Sequence, residues 1–163
     1  MAIFRTSEGR SVSHCHVRPR PVDPCHDTDW SQAQKKHWRK YMARFFPHSV
    51  EFRPPSRKYN CFGFAYARAH GWFEEPDFFI EDDFTEVPMD EARRGDVLVY
   101  EKSGEMAHAA IVKEATDGKI KKLRSKWGEL AAVIHKPREV HRAYGHPARL
   151  LRRNRRHAAA TMK

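Results

Sequence analysis

Aromatic and apolar side chains recur three or four positions apart in one long segment, residues 29–46. Such spacing places them along one face of a helix. They are Trp30, Ala33, His37, Trp38, Tyr41 and Phe45. Asp29 can cap the first turn of this helix, and Pro47 cannot continue it. We therefore expect an amphipathic helix whose aromatic face packs against the rest of the domain and whose opposite face is basic.

A shorter helix is predicted over about residues 61–69, and Gly71 is suited to end it. Its apolar stripe consists of Phe62, Ala65, Tyr66 and Ala69. The following segment, residues 73–94, is acidic and interrupted by prolines, so we predict irregular structure there.

Strand-like runs fill the next part of the chain. They are residues 96–101, 107–113, 119–125 and 130–135. The first three runs are joined by short connections that contain Gly104 and the pair Asp117-Gly118, which is typical of antiparallel hairpins. A helix followed by an antiparallel meander is an α+β arrangement. We expect a folded domain at 58–150, preceded at 29–57 by the amphipathic helix and a linker.

Positive charge is concentrated at the two ends of the chain. The formal net charge is +10, yet residues 58–140 hold 13 basic and 16 acidic side chains. The ends, predicted as an irregular basic arm (1–28) and a basic tail (151–163), could bind an anionic partner or only aid solubility. The candidate anion-binding side chains are Lys35, Lys36, Arg39, Lys40 and Arg44 on the helix, and Arg149, Arg152, Arg153, Arg155 and Arg156 near the C-terminus.

Composition argues against several classes of protein. No apolar run approaches the roughly 20 residues that cross a bilayer, so no membrane span is expected. No apolar stretch typical of a secretory signal opens the chain. Three cysteines cannot all pair with one another, which favours a reducing compartment. We expect a cytoplasmic protein and leave export by a non-Sec route open.

One cluster near the start has metal-compatible side chains. It comprises His14, Cys15, His16, Cys25 and His26. Zinc sites usually pair cysteines two to four residues apart, whereas these cysteines are ten positions apart. The spacing favours a flexible arm, and neither a metal nor an organic cofactor is predicted.

A cysteine at a helix start carries the most specific chemical signal. The unpaired N–H groups and the dipole at the first turn favour an anion, so we expect a lowered pKa and a nucleophilic thiolate at Cys61. His108 opens an apolar strand and is the candidate base. A third polar group should orient its ring. Ser125 fits best by order along the chain, with Glu129 and His135 as rivals.

These residues lie in motifs that resemble a known fold. The segment Asn60-Cys61-Phe62-Gly63 at a helix start, followed by Gly95-Asp96 and His108-Ala109 on strands, is similar to the papain-like fold of bacterial NlpC/P60 and CHAP amidases. The whole set more closely resembles an uncharacterised bacterial domain family across about residues 58–150. The motifs are Tyr59-Asn60-Cys61, His108-Ala109, Ser125-Lys126-Trp127-Gly128, Val133-Ile134-His135 and Tyr144-Gly145.

The resemblance implies a papain-like α+β fold and thiol-dependent hydrolysis or acyl transfer at an amide. Cys61 would attack the carbonyl of a peptide or amide substrate, His108 would move the proton and Ser125 would hold the ring. The candidate substrate-binding residues are Tyr59, Trp127 and His135. The alternative is a catalytically silent papain-like binding module whose basic arms dock on nucleic acid or an acidic protein. A lone buried cysteine is more often a core residue, so the interpretation depends on Cys61 and His108 acting together.

Overall fold

The computed structural model describes residues 5–10, 30–56, 58–69 and 71–154. Within these residues the helices are α1 (Gln32–Phe45), α2 (Cys61–Tyr66) and α3 (Asp77–Asp83). The strands are β1 (Val50–Arg53), β2 (Phe84–Val87), β3 (Val97–Lys102), β4 (Glu105–Thr116), β5 (Lys119–Lys126), β6 (Ala132–His135) and β7 (His146–Arg153). Short 3₁₀ helices lie at Met89–Glu91 and Arg142–Tyr144.

The described strands form one antiparallel sheet in the order β1-β6-β5-β4-β3-β7-β2. Its centre is the meander β3–β6, in which strands adjacent in sequence also pair. Strand β7 returns to the free side of β3, and the short strands β1 and β2 form the edges. Helices combined with an antiparallel sheet confirm the predicted α+β class.

The predicted strands are all present, with ends shifted by a few residues. Strands β3 and β4 are joined at Ser103-Gly104, and β4 and β5 at Asp117-Gly118. Both residues of each pair have positive φ, which is the backbone of a type I′ turn and matches the twist of a hairpin. The hairpins therefore follow from the turn residues, as the sequence indicates.

Regular elements also occur where the sequence predicted none. Helix α3 and strand β2 lie in the acidic segment 73–94, so the prediction of irregular structure there is wrong. Strand β1 lies in the predicted linker, and β7 extends three residues into the predicted basic tail. These elements are four to eight residues long, and β1 and β2 pair on one side only. Such short segments carry little periodic signal.

Part of the predicted irregular arm is attached to the domain. Thr6 donates a hydrogen bond to Asp82, and the backbone N–H of Ser7 donates to Asp83 Oδ1 at 2.9 Å. Arg10 forms ion pairs with Asp82 and, at 2.9 Å, with Glu81. Residues 5–10 thus close on the C-terminal end of α3. The cluster His14, Cys15, His16, Cys25 and His26 lies outside the described residues.

Helix α1 begins with a capping box. The Ser31 hydroxyl accepts from the Gln34 N–H at 3.2 Å, and the Gln34 side chain accepts from the Ser31 N–H at 2.8 Å. Asp29, the predicted cap, lies outside the described residues. Trp38 and Met42 are buried against Trp127 and its neighbours, with Trp30 and Tyr41 partly buried beside them. The helix therefore packs on the domain as predicted, but Ala33, His37 and Phe45 of the predicted face are exposed.

Alternation along the strands gives the sheet two apolar faces. Val99 and Ala109 pack with α2 and α3, and we call this side the α2 face. Leu98 and Ala110 point the other way, next to the cluster in which α1 packs. We call that side the α1 face.

Candidate active site

Helix α2 places Cys61 at its first position. Asn60 caps the helix: its side-chain oxygen accepts from the Gly63 N–H at 2.9 Å and from the Phe73 N–H at 3.3 Å. Asn60 is itself buried, so the cap also joins the helix start to the following loop. These hydrogen bonds fix the backbone next to Cys61.

The environment of the Cys61 thiol is apolar. Burial raises the pKa of Cys61 to about 11, although the backbone N–H groups of Ala109, Phe62 and Cys61 itself and the charge of Lys126 favour the thiolate. The predicted lowering of this pKa is therefore wrong for the structure as it stands. Only 6% of Cys61 is exposed. The loss of hydration therefore raises the pKa more than the first turn of one short helix lowers it.

His108 lies on strand β4 directly opposite Tyr100 of β3. Its ring packs on the α1 face, 5.5 Å from the Tyr100 ring, and stacks on Tyr144 with the ring centroids 4.0 Å apart. The side chain has no exposed surface, and neither ring nitrogen has a hydrogen-bond partner among the described residues. Burial first, and then the charge of His135, lower the pKa of His108 well below its usual value.

Cys61 is linked to the neighbourhood of His108 by a contact with the backbone of β4, the strand that carries the histidine. The backbone N–H of Ala109, the residue after His108, lies within hydrogen-bonding reach of the Cys61 sulfur. The charge of Cys61 also acts on the hydroxyl of Tyr144, whose ring covers His108. No hydrogen bond joins the sulfur to His108 in the described structure. The structure therefore places Cys61 beside the backbone of the strand that carries His108, without a hydrogen bond between the sulfur and the imidazole.

Ser125 does not orient His108, in contrast to the prediction. Its hydroxyl lies 2.8 Å from His135 Nε2 and accepts from Trp127 Nε1 at 3.0 Å. Strand register explains the difference. Strand β5 pairs with β6 up to Lys126, whereas its pairing with β4 ends at Arg124, opposite Ile111. The end of β5 that carries Ser125 therefore stays beside His135 and leaves the His108 strand.

The predicted substrate-binding residues are all interior. Tyr59 stacks on Phe64, Trp127 lies edge-on to His135, and His135 is bonded at both ring nitrogens. Their exposed fractions are 8%, 2% and 1% in that order. They pack inside the domain in this structure, and none of them offers a surface to a substrate.

Two further residues of the motifs have roles that sequence reasoning did not assign. The Lys126 ammonium has no exposed surface and donates to the backbone carbonyls of Ser56, Gly128 and Leu130. It fastens the loop after β5 to the segment that precedes α2. Tyr144 covers His108. In the sequence, the Ser-Lys-x-Gly motif was the available signal for Lys126, and the Tyr-Gly motif was the available signal for Tyr144.

The backbone at position 145 requires the glycine of the Tyr-Gly pair. A Cβ atom at this position would lie 1.9 Å from the Glu101 carbonyl oxygen, and the glycine φ is +77°. The close approach and the left-handed backbone both require glycine. The chain after Tyr144 is thereby held against the end of β3, and the tyrosine ring is held over His108.

Four of the eight described basic side chains proposed for anion binding have acidic partners, and one of these, Arg153, lies 3.8 Å from Asp83. Arg149 pairs with Glu101 at 2.9 Å, Arg152 with Asp96 at 2.8 Å, and Arg39 with Glu51 at 3.2 Å. Arg155 and Arg156 lie outside the described residues. In the part of the chain that the structure covers, no group of three or more potential metal ligands occurs.

The fold and site together define an α+β protein with a helix-borne buried cysteine and a strand-borne histidine. The profile of a family described as a domain of unknown function (DUF7689) matches residues 52–152. The chain belongs to this family, and the matched region runs from β1 to β7 and includes both Cys61 and His108. No curated protein and no solved structure matches the chain. None of the helices in the described ranges has the length and apolarity to cross a membrane.

Proposed function

We propose that this chain is a papain-like, cysteine-dependent amide hydrolase or acyl transferase in which Cys61 is the nucleophile and His108 the base. The observation that carries the proposal is the state of His108, which is buried without a described partner for either nitrogen. An unsatisfied buried polar group costs about 1–3 kcal/mol. Such a cost is expected where a side chain must remain available for proton transfer.

The directions of the two pKa shifts set the order of events. The thiol keeps its proton and the imidazole is unprotonated near neutral pH. His108 would therefore act as a general base during attack, not as half of a preformed ion pair. Access for a substrate, and approach of His108 to the sulfur, would require the Tyr144 ring to move away from the histidine.

The proposed reaction then follows the order of acyl transfer. As the Cys61 sulfur bonds to the carbonyl carbon, its proton passes to His108 and the π electrons of the carbonyl move to the oxygen. The C–N bond breaks, and the amine leaves with the proton that His108 returns. Water, or an amine acceptor, attacks the thioester carbon and gives its proton to His108. The C–S bond breaks, the acyl product leaves, and His108 returns the proton to the Cys61 sulfur. The N–H groups of Cys61 and Ala109 that favour a thiolate are the best-placed donors for the oxyanion.

An activated ester tests this proposal without knowledge of the natural substrate. The full chain is mixed with p-nitrophenyl acetate, and acetylation of Cys61 is followed by peptide mass spectrometry. We expect rapid acetylation that is absent in Cys61→Ala and slower by about tenfold or more in His108→Leu. Ser49→Ala is the matched control and should react like the wild type. Equal acetylation of wild type and His108→Leu would favour the catalytically silent binding module.

A further inference from the structure

A groove of about 300 Å³ lies on the α2 face, beyond the C-terminal end of α2. Ten residues line it, of which four are arginines and none is acidic. The arginines are Arg53, Arg68, Arg124 and Arg153. We call this feature the arginine groove. Cys61 and His108 are not part of its lining, so it is separate from the candidate active site.

Charge in the arginine groove is largely unneutralised. The side chains of Arg53, Arg68 and Arg124 are exposed and form no ion pair or hydrogen bond within the described ranges. Arg153 donates to the Tyr66 carbonyl at 2.9 Å and lies 3.8 Å from Asp83. Burial lowers the pKa of Arg153, and the charge of Arg68 lowers it further against the opposing effect of Asp83. Arg68 and Arg153 thus lie close enough for their charges to repel one another.

The arginines of strand β7 that lie outside the groove provide the contrast. Arg149 and Arg152 each form an ion pair shorter than 3 Å with a carboxylate. On the same strand the groove arginine, Arg153, has only the longer contact of 3.8 Å with Asp83, so its charge is less closely neutralised than that of Arg149 or Arg152. Unpaired guanidinium groups around a concave surface are suited to an anion that accepts several hydrogen bonds at once.

An aromatic wall adjoins these charges. Phe52 of edge strand β1 is 37% exposed at the groove, and its ring lies 6.1 Å from the ring of Phe64 behind it. Arg68 and Ala69, at the end of α2, both have positive φ, at 54° and 69°. Left-handed backbone is uncommon for residues other than glycine. This backbone brings the chain after α2 into the groove wall.

We propose that the arginine groove binds a phosphorylated, nucleotide-sized ligand, with guanidinium groups on the phosphate and Phe52 against the base. The volume is at the lower end of the range for small-ligand sites, about 300–1,000 Å³. Phosphate matches the donor geometry of arginine, and an exposed aromatic ring beside basic side chains is the arrangement that stacks a base. The ligand is a free nucleotide or one nucleotide of a single strand. This proposal does not depend on thiol chemistry at Cys61.

The test measures binding of a short fluorescein-labelled oligothymidylate to the full chain by anisotropy, with adenosine monophosphate as competitor. We expect Arg124→Ala to weaken binding about fivefold or more and to reduce the slope of log K against log salt by about 0.7. Phe52→Leu, which keeps an apolar side chain on β1, should weaken it by a similar factor. Arg138→Ala is the matched control, because Arg138 is exposed and lies outside the groove lining.

Competition by the mononucleotide identifies a free nucleotide as the ligand, and binding of the oligonucleotide alone identifies a single strand. The proposal is overturned if wild type binds neither probe, or if Arg124→Ala and Phe52→Leu bind like the Arg138→Ala control, since the basic ends would then account for binding. It is also overturned if a polyglutamate peptide binds in an Arg124-dependent way and the nucleotides do not. Cys61→Ala should bind like wild type.

Discussion

Replacement of Ser125 by alanine removes a hydroxyl that links two buried side chains. Trp127 Nε1–H donates to the hydroxyl oxygen at 3.0 Å, and the hydroxyl lies 2.8 Å from His135 Nε2. The other nitrogen of His135 lies 2.8 Å from the Lys136 carbonyl oxygen. Because a carbonyl only accepts, Nδ1 carries the proton and Nε2 accepts from Ser125. The three side chains form one directed chain of hydrogen bonds.

The expected loss follows from the atoms that the alanine would leave without partners. Both Trp127 Nε1 and His135 Nε2 are interior, and an orphaned buried polar atom costs about 1–3 kcal/mol. Allowing for some relaxation, we expect Ser125→Ala to lower the free energy of unfolding by about 2–4 kcal/mol. Ser49→Ala is the matched control, because the Ser49 hydroxyl is buried without a described partner. Its removal should leave stability unchanged or slightly higher.

Urea unfolding followed by circular dichroism measures both variants without reliance on tryptophan fluorescence. Trp127→Phe removes the donor together with part of a buried ring. Because both changes break the same hydrogen bond, the double variant with Ser125→Ala should cost less than the sum of the single changes. The m-values should be equal, which shows that the unfolded states are comparable. If Ser125→Ala were as stable as Ser49→Ala, the hydrogen-bond chain would not have the structural role we assign to it.

Two further predictions concern buried groups that ionise. Lys126→Met should lower the free energy of unfolding by about 3 kcal/mol in urea titrations, because three partly buried carbonyls lose a charged donor. Lys122→Met, at an exposed ion pair, should cost under about 1 kcal/mol, and equal losses would contradict this role of Lys126. Burial lowers the pKa of His135 from 6.5 to about 4 and also lowers that of His108. The unfolded chain then binds more protons, so the free energy of unfolding should fall as pH drops below 6.5, by about 3 kcal/mol from His135 alone by pH 4. If His108→Leu did not reduce the slope of the unfolding free energy against pH between about pH 6.5 and 5, this account would be contradicted.

Long periodic segments could be predicted from the sequence, and short ones could not. The amphipathic pattern of α1 and the turn residues of the β3–β5 hairpins indicate their elements directly. Strands β1 and β2 have four residues each at the edges of the sheet, and helix α3 has seven. Their formation depends on partners that are distant in the chain. Local patterns therefore could not reveal them.

The same division applies to the candidate site. Residue type and position were enough to single out Cys61 and His108. The pKa of Cys61 could not be predicted, because it depends on how completely tertiary packing excludes water. The partner of Ser125 depends on where β4 and β5 stop pairing, which is a property of strand register. Tyr144 could be found only as a motif, since its stacking on His108 depends on the turn at Gly145.

The central claim is that His108 takes the proton from Cys61. With a pKa of about 11, only roughly one thiol in ten thousand is ionised near pH 7. The most direct measurement is the rate of Cys61 alkylation by iodoacetamide as a function of pH, read by peptide mass spectrometry so that Cys15 and Cys25 are scored separately. The account predicts that wild type reacts about tenfold or more faster than folded His108→Leu near pH 7, and that the two rates converge as the thiol ionises. Equal rates at every pH would show that His108 does not act on Cys61.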